Sequence, residues 1–391
     1  MDDEHDYRPA TLLAHDGYDA FDCYGFVNPP VVRGSTVLYP DAQTRRTRGQ
    51  AYTYGTHGTP TTRALTNLIS RMERTEGTIL TSSGLSAIAI PMLALCSPGD
   101  HVLIVDSVYT PTRRFADTVL SRLGVEVEYY GPHENEAIEQ RIRSNTRVVF
   151  LEAPASNTFE VQDVAAVCRA AHVHDALTMI DNTYATALLF KPSEHGVDVI
   201  IQAATKYPSG HSDVLMGMVS ASGECWRAIE RYNEATGNCV SSDDASLVLR
   251  GLRTMELRLR EQGRSALDLA TWLEQQDGVL DVLHPGLTSH ADHDLFRKQF
   301  AGASGIFSFI LDGDAAAADR FLDAMPLFGL GYSWAGYESL AVPVDLSDRT
   351  VAFGPKDGTL IRLQIGLEHV DDLRHDLERG LLAARSNCST S

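Results

Sequence analysis

The sequence predicts an α/β protein in three parts: a larger domain over residues 59–252 built on a mainly parallel sheet, a smaller C-terminal α/β domain over 253–391, and an extended N-terminal arm over 1–58. Three observations carry that prediction. From Thr59 onward, short apolar runs alternate with amphipathic stretches of helix length, a pattern that lays helices on both faces of a parallel sheet. After a long helical pattern a second, shorter set of apolar runs follows. Before Thr59, by contrast, Pro, Gly and Tyr are abundant and helical periodicity is weak. With 391 residues, 43% of them hydrophobic, the chain can bury a substantial core.

Taken in order, the arm packs on something other than itself, since its composition supports no core. Thr59-Pro60 signals a helix start, and Leu65, Leu68, Ile69 and Met72 then fall on one helix face. The predicted strands are Gly77–Ser82, His101–Val105, Val125–Tyr130, Arg147–Glu152, Thr178–Asp181 and Val197–Ala203. One long helical pattern surrounds Ser246–Gln262. Ser304–Leu311 and Leu360–Ile365 read as strands of the second domain, and Val370–Ala384 as its closing helix. In such a sheet, ligands sit at the carboxyl ends of the strands.

A formal charge of -19 disfavours nucleic acid and anionic membranes, which are bound through clustered Lys and Arg. No apolar run reaches the roughly 18–20 residues needed to span a bilayer, and the start, Met1-Asp2-Asp3-Glu4-His5, is acidic where a secretory signal is basic. The expected location is the cytoplasm. The six cysteines, Cys23, Cys96, Cys168, Cys225, Cys239 and Cys388, are scattered and read as reduced thiols. His172-x-His174 and His290-x-x-His293 have metal-like spacing but lack further ligands nearby in sequence, so no metal is expected.

Three strand ends carry chemistry. At Thr81-Ser-Ser-Gly84-Leu85-Ser-Ala87 a strand runs into small residues and a helix start, where unpaired N–H groups and the helix dipole could hold a phosphate. A plain strand-to-helix turn looks the same. Asp181, ending Thr178-Met-Ile-Asp181-Asn-Thr183, could pair with a protonated ring nitrogen or merely cap a helix. Lys206, after Val197–Ala203 and flanked by small residues, suits Schiff-base chemistry if partly buried, and is a solvated lysine otherwise. Together, a phosphate cradle, a ring-nitrogen acid and an amine nucleophile are the parts that pyridoxal 5'-phosphate (PLP) requires.

The stretch Ile201-Gln-Ala-Ala-Thr-Lys206-Tyr-Pro-Ser-Gly-His-Ser-Asp213, with Asp181-Asn-Thr183 upstream, closely resembles the Cys/Met-metabolism PLP enzymes, the trans-sulfuration family. The likeness runs nearly end to end, through Val27-Asn-Pro-Pro-Val31, Arg33-Gly-Ser-Thr36, Ser97-Pro-Gly-Asp-His-Val102, Leu249-Arg-Gly-Leu-Arg253, Gly331-Tyr-Ser-Trp334, Gly336-Tyr-Glu-Ser339 and Arg362-Leu-Gln-Ile-Gly-Leu-Glu368. It implies the aspartate-aminotransferase-like fold, fold type I. It also implies roles: Lys206 bonds to PLP and then moves protons, Asp181 holds the pyridinium, and Tyr109 stacks on the ring. Gly84, Leu85 and the Thr205 hydroxyl take the phosphate, while Arg362 clamps the substrate carboxylate beside Ser333 and Trp334. Tyr54 would reach the site from the arm of a neighbouring subunit, so the resemblance implies at least a dimer and, by extension, a homotetramer made as a dimer of dimers.

One segment departs from the family, which reads Tyr-x-Arg where this chain has Tyr54-Gly55-Thr56-His57-Gly58-Thr59. The cofactor phosphate loses an expected cation. Thr56 is expected to donate a hydrogen bond instead, with charge supplied by His57, Arg48 or Arg63; a weaker hold on PLP is the alternative.

The implied activity is carbon–sulfur cleavage of a sulfur amino acid. Ala203-Ala-Thr-Lys206 and Gly331-Tyr-Ser-Trp334 look like the members that perform β-elimination on cystathionine. γ-Elimination, γ-replacement and a β-lyase specialised for another substrate, including cysteine, are the alternatives within the family. Outside it stand a catalytically silent binding protein and a phosphate-binding transferase that works without PLP.

Overall fold

The computed structural model describes residues 7–386, so Met1-Asp2-Asp3-Glu4-His5 and Cys388 lie outside the described residues. Seven strands form the first sheet: β1 Gly77–Thr81, β2 His101–Val105, β3 Glu126–Tyr130, β4 Thr146–Glu152, β5 Leu177–Asp181, β6 Val199–Ala203 and β7 Gly217–Ala221. Their order is β1-β7-β6-β5-β4-β2-β3. Every pairing from β6 through β5, β4 and β2 to β3 is parallel, and only β7 runs against its neighbours. Strands β1, β2 and β7 are buried at every position, which is the consequence of helices covering both faces and explains why they read as continuous apolar or small-residue runs.

The helix Pro60–Glu73 shows how local sequence fixes these covering elements. Thr59 caps it, exchanging side-chain and backbone hydrogen bonds with Thr62, and Pro60 occupies the first turn, where a missing N–H costs nothing. Leu65, Leu68, Ile69 and Met72 are buried as their spacing predicts.

A second sheet contains β8 Val279–Leu283, β9 Ile306–Leu311, β10 Gly329–Leu330, β11 Leu340–Pro343 and β12 Thr359–Gln364, in the order β10-β11-β12-β9-β8. Phe307 and Phe309 of β9 and Ile361 and Leu363 of β12 face the same core as Val149 and Ile180 of the first sheet, so hydrophobic packing is continuous between the two sheets. The closing helix, Val370–Arg385, buries Leu373, Leu377 and Leu381.

Three departures from the sequence reading have physical reasons. The predicted helical run around Ser246–Gln262 is two helices, Ser242–Leu252 and Met255–Leu273. At the break the chain wraps the loop after β6: a Cβ on Gly251 would lie 2.3 Å from the carbonyl oxygens of Pro208 and Ser209, and Arg258 donates to the Tyr207 carbonyl at 2.9 Å. The start of the arm is helical rather than extended, because Pro9–His15 buries Leu12 and Leu13 while Arg253 donates to the Leu13 carbonyl. Beyond it, Phe21, Tyr24, Phe26, Val27 and Leu38 remain largely exposed. Lastly, four strands do not stand out in the sequence: β8, β10 and β11 carry too few consecutive apolar residues, and in β7 glycine, serine and alanine dilute the apolar run, so all four depend on their neighbours for their conformation.

Candidate active site

The carboxyl ends of β4, β5 and β6 open into a cavity of about 360 Å³, closed from the other side by the second sheet. It is lined by Gly84, Leu85, Tyr109, Asp181, Thr205, Lys206, Ser333, Trp334 and Arg362, nine of the residues singled out from the sequence.

Lys206 lies at its centre. Its Nζ donates to Ser333 Oγ at 2.6 Å and sits 5.0 Å from the centroid of the Trp334 ring. Burial, reinforced by the charge of Arg362 and opposed by Asp181, lowers its amine from the ordinary 10.5 to about 7. A large share of the side chain is therefore neutral near pH 7, as a nucleophile must be.

Asp181 ends β5, where burial raises its carboxyl while Thr183 and Lys206 resist the rise. The backbone N–H of Thr183 donates to Asp181 Oδ1 at 2.9 Å and the Thr183 hydroxyl binds the same oxygen, which leaves Oδ2 for a ligand. Opposite, Ser83 caps the helix Gly84–Leu95 by accepting from the Ser86 N–H at 3.1 Å. The N–H groups of Gly84 and Leu85 are thus first-turn donors without helical partners. A Cβ on Gly84 would come 2.7 Å from Ala203 Cβ, so glycine lets the helix start against the end of β6.

Arg362 of β12 donates to Asn157 Oδ1 at 3.0 Å and to the Ser333 carbonyl at 3.3 Å, and burial lowers its guanidinium to about 10. It is a fixed cation aimed into an otherwise largely apolar space. Tyr109 is half-exposed at the rim, with its N–H on Glu152 Oε2 at 2.8 Å.

Thr205 lines the cavity with its hydroxyl already partnered. Its hydroxyl donates to the Met216 carbonyl at 3.2 Å and accepts from the Met216 N–H at 3.0 Å, so its oxygen is engaged in joining the ends of β6 and β7. Tyr54 and Thr56 do not reach the cavity of their own chain: Tyr54 bridges to Thr36, and Thr56 and His57 line a separate groove with Arg63 and Arg71. Arg63 binds the Ala51 carbonyl at 2.9 Å and stacks on Tyr52, and Arg48 ends a short helix; neither lines the Lys206 cavity.

Glu152 and Asn157 were not singled out by sequence reasoning. Glu152 ends β4 as Asp181 ends β5, and the two are register partners. The signal was an acid at a second strand end, read only as part of the strand. Burial and then the nearby Asp181 hold the Glu152 carboxyl well above its usual range. Asn157, at φ +66° in the loop after β4, was hidden because loop geometry is not written in periodicity.

The histidine pairs serve other ends. His172 binds Asp198 at 2.9 Å and His174 binds Glu139 at 3.2 Å, and among the described residues no cluster of three or more His, Cys, Asp or Glu could hold a metal. The five described cysteines are free thiols, and among the described residues no helix is long and apolar enough to cross a membrane.

A partly buried amine brought near neutrality, a partly buried acid with a spare oxygen, two first-turn N–H donors and a fixed cation suit the aldehyde, ring nitrogen and phosphate of PLP and the carboxylate of an amino acid. The fold and site define a PLP-dependent enzyme. Residues 10–382 match the family described as Cys/Met metabolism PLP-dependent enzyme, and the chain belongs to it. A Rhizobium johnstonii protein provisionally named cystathionine beta-lyase is 56% identical over 379 residues, 96% of each chain. Cystathionine beta-lyase MetC of Escherichia coli is 38% identical, covering 96% of this chain and 98% of its own. Among solved structures, cystathionine gamma synthase from Xanthomonas oryzae pv. oryzae superposes with a TM-score of 0.91 at 31% identity, over 97% of this chain and 99% of that one.

Proposed function

We propose that the chain is a cystathionine β-lyase that converts L-cystathionine and water to homocysteine, pyruvate and ammonia. The observation that carries this reading is Lys206, a partly buried amine lowered to about 7 and set between the Arg362 cation and the Asp181 acid. The names of the relatives at 56% and 38% identity favour the β-lyase branch. When bound, PLP withdraws electrons from the substrate Cα and so makes its proton acidic.

The chain's residues supply the rest. Arg362, fixed by Asn157 and the Ser333 carbonyl, holds the substrate carboxylate as a two-pronged pair. Lys206 would hold the cofactor aldehyde through its amine, and that amine, once free beside the substrate, would take the Cα proton as general base. Ser333, bonded to Nζ at 2.6 Å, keeps the amine in place for that transfer. Asp181 would hold the ring nitrogen in its protonated form through its free Oδ2, Tyr109 would pack on the ring, and the N–H groups of Gly84 and Leu85 would hold the phosphate. Thr205 braces β6 against β7 and joins the phosphate shell only by giving up its bond to Met216. Trp334 walls the substrate side.

Tyr54 and Thr56 act from the arm of a neighbouring subunit, a reading supported by their absence from the lining of their own cavity and by the exposed apolar residues along the arm. The assembly is a homotetramer made of two such dimers, and the protein works in the cytoplasm. The division into arm (1–58), cofactor domain (59–252) and small domain (253–391) belongs to the same proposal.

The test is incubation of the purified, PLP-loaded protein with L-cystathionine and identification of the keto acid. Pyruvate with homocysteine is expected; 2-oxobutyrate with cysteine would move the assignment to γ-elimination, and neither product would mean another amino-acid substrate. Lys206→Ala should remove turnover altogether.

A further inference from the structure

The connection between β11 and β12, residues 344–358, leaves its own sheet and docks on the loop that follows β4. Arg349 makes the central contact. It is buried, its Nη2 donates to the Ser156 carbonyl and to Thr158 Oγ1, each at 2.8 Å, and its Nη1 lies 3.5 Å from Glu160 Oε1. Thr158 in turn binds Glu160. One guanidinium therefore grips the residues on both sides of Asn157. The turn it grips is a strained one: Asn157 has φ +66° and Phe159 φ +60°, the left-handed region that side chains other than glycine enter at a cost. Asn157 Oδ1 is the acceptor that fixes Arg362 Nη1 at 3.0 Å. Next to Arg349, the N–H groups of Thr350, Val351 and Ala352 all donate to Asp106, so the segment carrying Arg349 is itself pinned to the first sheet.

We infer that Arg349 is a positioning residue for recognition of the substrate carboxylate, acting through the Ser156–Asn157–Thr158 turn to hold the Arg362 guanidinium in its binding pose. It touches no reacting atom. The inference rests on the reading of Arg362 as the carboxylate clamp, and it goes beyond that reading by making the clamp depend on a residue outside the cavity.

The test compares PLP-loaded wild type, Arg349→Gln, Asn157→Ala and Arg362→Gln in spectral titrations of the cofactor band with L-alanine and with ethylamine, which lacks the carboxylate. Wild type should bind L-alanine more tightly than ethylamine. Arg349→Gln should weaken L-alanine binding about tenfold, the scale of one charge-assisted hydrogen bond, and leave ethylamine unchanged. With cystathionine, KM should rise similarly and kcat stay within about twofold, as for loss of a contact equal in ground and transition states. If the effect runs through Asn157, adding Arg349→Gln to Asn157→Ala should cost almost nothing more. Equal weakening of L-alanine and ethylamine, or full additivity of the two substitutions, would overturn the inference. If Arg362→Gln itself leaves L-alanine binding unchanged, the clamp reading fails first and the inference falls with it. Should Arg349→Gln not fold, Thr158→Val, which removes only one of its acceptors, must show the same preferential loss of L-alanine, smaller in size.

Discussion

The depressed amine of Lys206 makes a quantitative prediction about cofactor loading. With its midpoint at about 7 rather than the ordinary 10.5, about half of the Lys206 side chains are neutral at pH 7, against about 1 in 3,000 for an unperturbed lysine. PLP-free protein mixed rapidly with excess PLP should therefore develop the visible band of the lysine-linked cofactor at a rate that levels off above pH 7. Below it, the rate should fall about tenfold per pH unit, because only the unprotonated amine attacks. Pyridoxal, which lacks the phosphate, should give the same midpoint. Burial is the leading cause of the shift, so no single charge removal should abolish it. Arg362→Gln takes away a repelling cation and should raise the midpoint, whereas Asp181→Asn takes away an attracting anion and should lower it. A wild-type midpoint above 9, or movement of both variants in the same direction, would refute the reasoning.

Three further outcomes concern stability and can be read by thermal or urea unfolding. Glu73 is fully buried beside Gln202, and burial raises its carboxyl to about 8 from the 4.5 of an unfolded chain. Between those values the unfolded chain is ionised while the folded one keeps its proton. Stability should thus fall as pH rises from 4.5 toward 8, by at most about 1.4 kcal/mol per pH unit, and Glu73→Gln should flatten that slope. Asp106→Ala leaves the N–H groups of Thr350, Val351 and Ala352 without their acceptor and takes from the buried Arg113 its carboxylate partner, leaving it the main-chain carbonyl of residue 106, and should cost about 3–5 kcal/mol and speed amide exchange over residues 345–358. Burial alone would raise the Asp106 carboxyl, but those N–H groups and Arg113 outweigh it and hold the group below its usual range, so its contribution should be lost as pH falls below about 4. Gly251→Ala places a methyl against two backbone carbonyls of the loop after Lys206, and should lower both stability and the fraction of protein retaining PLP.

Much of this was legible in the sequence, and the parts that were not share a physical cause. Apolar strands buried on both faces announce themselves, as β2 does over His101–Val105, whereas β7, equally buried, is diluted by glycine, serine and alanine and does not. The three strand ends are likewise local features, so Gly84, Asp181 and Lys206 could be named as a set before their proximity was known. Arg362 was reached only by resemblance, since nothing around it in sequence points to a site 156 residues after Lys206. The helix break at Arg253-Thr254 escaped notice because its reason is tertiary: the loop at Tyr207–Ser209 has to fit beneath it. Glu152, Asn157 and Arg349 escaped for the same reason, as each acquires its meaning from a residue far away in the chain.

The cavity is shared between two sheets, and the sharing divides the chemistry. In the proposed function the first sheet supplies Lys206, Asp181 and Gly84 for the cofactor, and the segments around β10 to β12 supply Ser333, Trp334 and Arg362 for the substrate. Such a division lets one architecture carry different reactions, and this chain is similar both to a relative named a β-lyase and to a solved structure named a γ-synthase.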